Sequence, residues 1–464
     1  MTPMTTTAGP AAASGRDVRG DGVRSVRSVR RRFLALTALR WLPTGLLMPV
    51  TVLLQQDRGL SLGQVGLVTA AQGIVVAVLE LPTGGLADAV GRRPVLLWAS
   101  VFDVGSVVLF AAAGSPGTFL VAWAIQGVYR ALESGPLEAW FVDATLAATG
   151  REGEGVAAVE RGLARAGVAI GVAISAGALG AAALVTWPPG GVDALVAPVL
   201  VSIAFRVVSA LALAAGLRDV RPGAAAAAPV AVTGAAPAAG TAAGPDRVGV
   251  PRRGRARIAL GDTAATLRSS WMLLGASAAL RGLVAVELLW GAGLTGIELF
   301  TAPRLVELLG SGDESAVVFA LAMALGWTVV ALGSAATGRV TRLSGGQARA
   351  GAVLRLVHGA SALLMAVVGG PAALVAGYLA GQFVHGTANV VHYALVHRLV
   401  DGSRRATILS AHSLAARAGG TVAAVGLGAL ASGAGPAAAL AVAALLLAAG
   451  APLYRAAGRA VAAA

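Results

Sequence analysis

Two residue types are missing from this chain altogether. There is no cysteine, which excludes disulfides, thiolate nucleophiles and cysteine metal sites and leaves the redox compartment open. There is no lysine either, so all 36 basic residues are arginine. A P-loop cannot form without lysine, and no H-E-x-x-H segment is present, so ATP hydrolysis and zinc-peptidase chemistry have no visible place. The chain does not read as an enzyme, and no cofactor or metal is expected. Charge of either sign is scarce: 12% of residues are charged, against roughly 25% in an average soluble protein.

Apolar residues take up the difference. They make up 56% of the 464 residues, more than one soluble core can hide. Runs of the ~20 apolar residues that a membrane-crossing helix needs recur along almost the whole length. The formal charge of +14 would suggest nucleic acid if it covered one soluble face. Here the arginines are scattered between apolar runs, so a nucleic-acid partner is not expected. The chain reads as an all-α polytopic membrane protein.

Its apolar segments cover residues 33–55, 62–83, 94–113, 117–142, 158–186 and 194–216, then 272–300, 315–337, 351–369, 372–397, 406–432 and 436–456. Twelve helices in two sets of six are expected. The predicted organisation is a disordered basic tail (1–32), a first six-helix bundle (33–216), an Ala, Pro and Gly-rich linker with a basic end (217–271), a second bundle (272–456) and a short tail (457–464). The first tail, which ends in VRSVRSVRRR, precedes an uncleaved helix and is positioned to touch anionic lipid. Odd-numbered gaps carry Arg58 and Arg304 and little other positive charge, whereas even-numbered gaps are rich in arginine. By the positive-inside rule both termini and the linker lie in the cytoplasm, and the host membrane is expected to be the cell membrane.

The first expected inner loop reads ELPTGGLADAVGRRPVLL, residues 80–97. Gly84, Leu86, Ala87, Asp88, Gly91, Arg92, Arg93 and Leu96 fit the cytoplasmic signature of the major facilitator superfamily, with Ala89 where that family usually has arginine. The chain therefore resembles that superfamily over residues 33–456. The resemblance implies two six-helix bundles that rock around a central site. It also implies that Gly84 packs against the eleventh helix, that Asp88 meets the amino-terminal end of that helix near Ser403 to Thr407, and that Arg92 pairs with a carboxylate such as Asp143. Drug and proton antiporters of the family carry a glycine-rich pattern on the fifth helix. Gly167 and Gly171 match it, but Val172 replaces its proline and Trp123 replaces an arginine hallmark on the fourth helix.

Charges at bilayer depth are costly and mark cavities or partners. On the fourth helix Gln126, Arg130 and Glu133 fall within about 60° of one another, with Tyr129 beside them. On the tenth, Gln382, His385, Asn389 and Tyr393 share a face, with His392 at its edge. The seventh carries Glu287 and Glu298, and Trp290 is a candidate contact for a hydrophobic substrate; the third carries Asp103. Arg165, Arg206 and Arg417 are expected to neutralise carboxylates. Trp41, Trp98, Trp140 and Trp187 are expected to anchor the chain at the membrane surfaces.

These residues point to a secondary transporter that exports a small hydrophobic or antibiotic-like compound in exchange for protons, with Glu133 the expected coupling carboxylate. A symporter importing a metabolite and a non-transporting membrane sensor are the alternatives. Expected partners are the small-molecule substrate, protons and membrane lipid, and the chain is expected to act as a monomer.

Overall fold

A computed structural model describes residues 25–84, 86, 90–149, 152–217, 275, 277–400 and 402–463. Among them every regular element is a helix. The first half contains α1 (Val26–Asp57), α2 (Leu62–Gly84), α3 (Arg92–Ala112), α4 (Pro116–Glu133), α5 (Pro136–Thr149), α6 (Glu152–Thr186) and α7 (Val196–Gly216). The second contains α8 (Ala278–Leu309), α9 (Gly312–Leu343), α10 (Gln347–Val367), α11 (Pro371–Leu399), α12 (Gly402–Ala449) and α13 (Tyr454–Ala463). Most of the linker expected at 217–271, and the Asp88 of the loop signature, lie outside the described residues.

The helices start where the sequence supplies caps. Ser25, Ser277 and Ser311 each accept a hydrogen bond from the third residue of the helix that follows. Ser115 and Thr118 form a reciprocal capping box ahead of α4, with Pro116 at its first position. Nine stretches among the described residues are helices long and apolar enough to cross a membrane. Helices α4 and α11 are not among them, because their Gln, Arg, Glu and His residues dilute the apolar runs.

Four boundaries differ from expectation. The expected basic tail is helical from Val26, since Val26, Val29 and Phe33 share a face and Val29 and Phe33 are buried. The fourth segment is two helices, broken at Gly135, whose φ of 95° suits glycine, and restarted by Pro136. The eleventh and twelfth segments form one long helix with a kink at Gly435, ahead of Pro436. The expected carboxy-terminal tail belongs to a helix, α13.

The two halves repeat one packing scheme. In the first, α1 packs on α6 and α7, α4 on α2 and α3, and α3 on α7; in the second, α8 and α10 pack on α12, and α11 on α9 and α10. The halves meet along α2 with α12 and α6 with α9. At those seams glycines remove side chains so that backbones touch: a Cβ on Gly66 would run into the Ala424 carbonyl, and one on Gly73 into Thr421. Across the other seam Ser175 Oγ donates to the Ala324 carbonyl at 2.9 Å.

The apolar core shows where the halves part. One cluster draws on both halves and includes Leu54, Leu62, Phe110, Phe119, Phe300 and Leu305. It lies at the end where α1 meets α2 and α8 meets α9. At the other end the core splits into one cluster per half, Val29, Phe33, Leu137 and Trp140 in the first, Leu283, Leu354, Leu395 and Tyr454 in the second. The molecule is closed at one end and parted at the other, and the gap opens on the side of the α2–α3 turn.

Candidate functional site

Each half carries a buried ionic cluster beside this gap. In the first half the Asp103 carboxylate on α3 is ion-paired with Arg206 of α7 and accepts from Gln126 Nε2 of α4 at 3.4 Å. Gln126 Oε1 in turn accepts from Ser106 Oγ. Further along α4, Glu133 is ion-paired with Arg40 of α1 and lies 3.7 Å from Arg130. The expected stripe on α4 therefore divides. Gln126 and Tyr129 are buried and bind the helices of one half together, Glu133 is the last residue of α4 with two guanidiniums on it, and Arg130 projects outward with its side chain 40% exposed. The Arg130 guanidinium lies 5.6 Å above the Trp41 ring, a cation–π contact.

The second half is built from different chemistry. Glu287 of α8 is 1% exposed, with His392 Nε2 of α11 at 3.3 Å and Arg355 of α10 at 3.9 Å. The other His392 nitrogen, Nδ1, is 2.9 Å from the Tyr454 hydroxyl on α13, and the His412 ring packs on it from α12 at 5.3 Å. Tyr393 is the next residue of α11, its ring 5.7 Å from that of His392. Towards the gap, Trp290 stacks on His385 at 5.5 Å, Arg355 sits 6.0 Å from the Trp290 ring, and Asn389 Nδ2 is 3.3 Å from His385 Nε2.

Between the clusters, Trp41, Arg130, Trp290, Trp327, Gln382, His385, Asn389 and Tyr393 are all partly accessible, and Glu298 is exposed. Glu298, expected at the outer mouth, lies close enough to Arg130 for the two charges to interact. That interaction crosses from the second half to the first. The structure thus brings together Arg130, Trp290, Gln382, His385, Asn389 and Tyr393 around the gap, and withdraws Asp103, Gln126, Tyr129 and Glu287 into the interior of their own halves.

Arg40, Arg355, His358, His412 and Tyr454 were not singled out from the sequence. Arg40 and Arg355 carried a usable signal, since each is a lone arginine within an apolar run, the rule that did single out Arg206. For the others, only the packing of distant segments reveals a role. Of the three arginines expected to neutralise carboxylates, Arg206 does so, while Arg165 is exposed on α6. Trp98 and Trp187 are 62% and 76% exposed, as anchors require. Trp140 is not an anchor: it is 1% exposed in the core of the first half, because α5 turns it towards α1 and α6. Trp41 lies instead beneath Arg130.

Of the loop signature, Gly84 closes α2 and Gly91 caps α3 with a φ of 106° that favours glycine. Arg92 is ion-paired with Asp143 of α5, as expected, and Arg93 donates to the Ala214 carbonyl of α7 at 2.8 Å. The turn is thereby fastened to the first half on both sides.

The Major Facilitator Superfamily profile matches residues 33–424. No curated protein matches the chain. Among solved structures, a bacterial homologue of the human lysosomal transporter Spinster, in an inward-facing and occupied conformation, is 15% identical, covers 94% of this chain and 98% of its own, and has a TM-score of 0.67. The human organic anion transporter MFSD10 is 18% identical over 93% of this chain and 100% of its own, with a TM-score of 0.57. The nucleoside transporter NupG is 11% identical over 92% and 99%, with a TM-score of 0.68. At these identities the likeness is one of fold.

Proposed function

This chain belongs to the Major Facilitator Superfamily, and from that premise we propose that it is a secondary transporter that exports small hydrophobic compounds by alternating access, in exchange for protons. The observation that carries the reading is the gap between the halves. Its accessible groups are three tryptophans, Trp41, Trp290 and Trp327, set among the polar side chains of Arg130, Glu298, Gln382, His385, Asn389 and Tyr393, a surface suited to an amphipathic guest with a sizeable apolar part. With the orientation given by the arginine distribution, both termini face the cytoplasm of a cell membrane and the gap opens inward. This is the state in which an exporter collects its substrate. The Arg92–Asp143 pair would lie at the edge of that opening, where a latch closes it.

We place the proton step at Glu287 and His392 rather than at Glu133. The cationic partners of Glu133 are Arg40 and Arg130, and a guanidinium does not give up its proton in a protein. Glu287 faces an imidazole at 3.3 Å, a neutral ring that can take a proton from a carboxyl and return it, as a guanidinium cannot. The Glu133 cluster then serves as a fixed joint between α1 and α4.

The test is flux in inside-out vesicles. An acid lumen should drive a hydrophobic fluorescent dye into vesicles that contain the protein; loss of dye from them, or no movement with a broad panel, would overturn export. Import of a polar metabolite is the second reading, favoured by the Arg130–Glu298 interaction across the gap. The same vesicles decide it, since a symporter would empty them.

A further inference from the structure

At the parted end of the second half, α13 packs against α8 and α10 and encloses with α8 a groove of about 410 Å³. Its rim holds three arginines, Arg281 of α8 and Arg455 and Arg459 of α13, all exposed. Its floor is small and apolar, including Gly282, Ala285 and Ala456. A Cβ on Gly282 would come within 2.7 Å of the Leu453 carbonyl oxygen, so the bare backbone there lets the turn before α13 close on α8.

Arg455 and Arg459 are one helical turn apart and repel each other. Among the described residues neither is paired with a carboxylate, and Arg281 brings a third positive charge to the same opening. An anion would relieve the repulsion between Arg455 and Arg459, with Arg281 on the same rim. Guanidiniums suit phosphate oxygens in particular, because the planar fork donates two parallel hydrogen bonds. An apolar floor beneath such a rim, on an amphipathic helix whose Tyr454 and Ala457 are buried while Arg455 and Arg459 face out, fits a ligand with a charged head and a greasy body.

We propose that this groove binds the phosphate of an anionic phospholipid from the leaflet beside it. The bound lipid pins α13 in place. Through the neighbouring Tyr454, whose hydroxyl meets His392 Nδ1, it secures one side of the Glu287–His392 contact. The proposal does not depend on the direction or substrate of transport.

Native mass spectrometry of the full chain, titrated with phosphatidylglycerol, phosphatidylcholine or inorganic phosphate, tests it. The wild-type protein should retain phosphatidylglycerol in preference to phosphatidylcholine. Retention should fall about fivefold for each of Arg281→Gln, Arg455→Gln and Arg459→Gln. As a control, Arg339→Gln, Arg342→Gln and Arg349→Gln remove the same charge from exposed positions around the α9–α10 turn and should leave retention unchanged. An equal loss in the control, no preference between the two lipids, or displacement of phosphatidylglycerol by inorganic phosphate would each overturn the assignment. If Arg281→Gln or Arg455→Gln fails to fold, Arg459→Gln, on an exposed side chain, still decides the matter: its fivefold loss supports the groove, and full retention overturns it.

Discussion

His392 Nε2 stands 3.3 Å from Glu287 Oε1, and both side chains are almost wholly shielded from solvent. Three further elements surround the pair, through Arg355 on α10, His412 on α12 and Tyr454 on α13. The imidazole stands between the Glu287 carboxyl on one nitrogen and the Tyr454 hydroxyl, 2.9 Å from the other, and a buried carboxyl with such a neighbour is what a coupling site needs.

Glu287→Gln should therefore uncouple the protein. Flux driven by a pH gradient in vesicles should fall at least about tenfold, equivalent to ~1.4 kcal/mol, while exchange of labelled for unlabelled substrate at equal pH continues. Full gradient-driven flux in this variant would refute the assignment. Glu133→Gln should loosen the α1–α4 joint and lower thermal stability.

The Asp103–Arg206 pair should behave as a buried ion pair. Removing one partner, as in Arg206→Met, leaves an uncompensated charge and should cost about 3–5 kcal/mol. Asp103→Leu combined with Arg206→Met should recover most of that loss. Unfolding midpoints of the single and double variants in detergent measure the coupling, and simple additivity would show that the pair contributes nothing.

Because the chain has no cysteine, the closed end can be probed with introduced thiols alone. A Cβ on Gly63 would lie 3.2 Å from Ser432 Oγ, so Gly63→Cys with Ser432→Cys should oxidise readily. The disulfide would lock α2 to α12 at the closed end. Transport should stop on oxidation and return with reductant; unaffected flux in the oxidised protein would mean that this seam never opens.

Arg130→Ala should weaken substrate binding without unfolding the protein. The side chain is 40% exposed, and an ion pair of that kind contributes about 0–1 kcal/mol to stability. The expected outcome is a raised KM with an unchanged melting midpoint. A lowered midpoint with an unchanged KM would place Arg130 in the scaffold instead.

Much of this architecture could be read without coordinates. Apolar runs of membrane length and the signature around Gly91 and Arg92 depend on local composition or on short spacing, which a sequence states directly, and the Arg92–Asp143 pair follows from the family resemblance. Helical periodicity likewise put Gln126, Arg130 and Glu133 on one side of α4. It could not tell which of them looks into the gap and which looks at a neighbouring helix, because about 60° of arc is wide enough to include both.

The sequence by itself determined that the chain is helical and lies in a membrane, which superfamily it resembles and which residue types it had available for chemistry, because hydropathy, period and residue identity are properties of single segments. Only the tertiary structure decided the partners: Arg40 for Glu133, Arg206 for Asp103, His392 for Glu287, and Tyr454 for His392. These contacts join residues from 62 to 105 positions apart, and segments so distant in the chain meet only when each helix buries its apolar faces against the others.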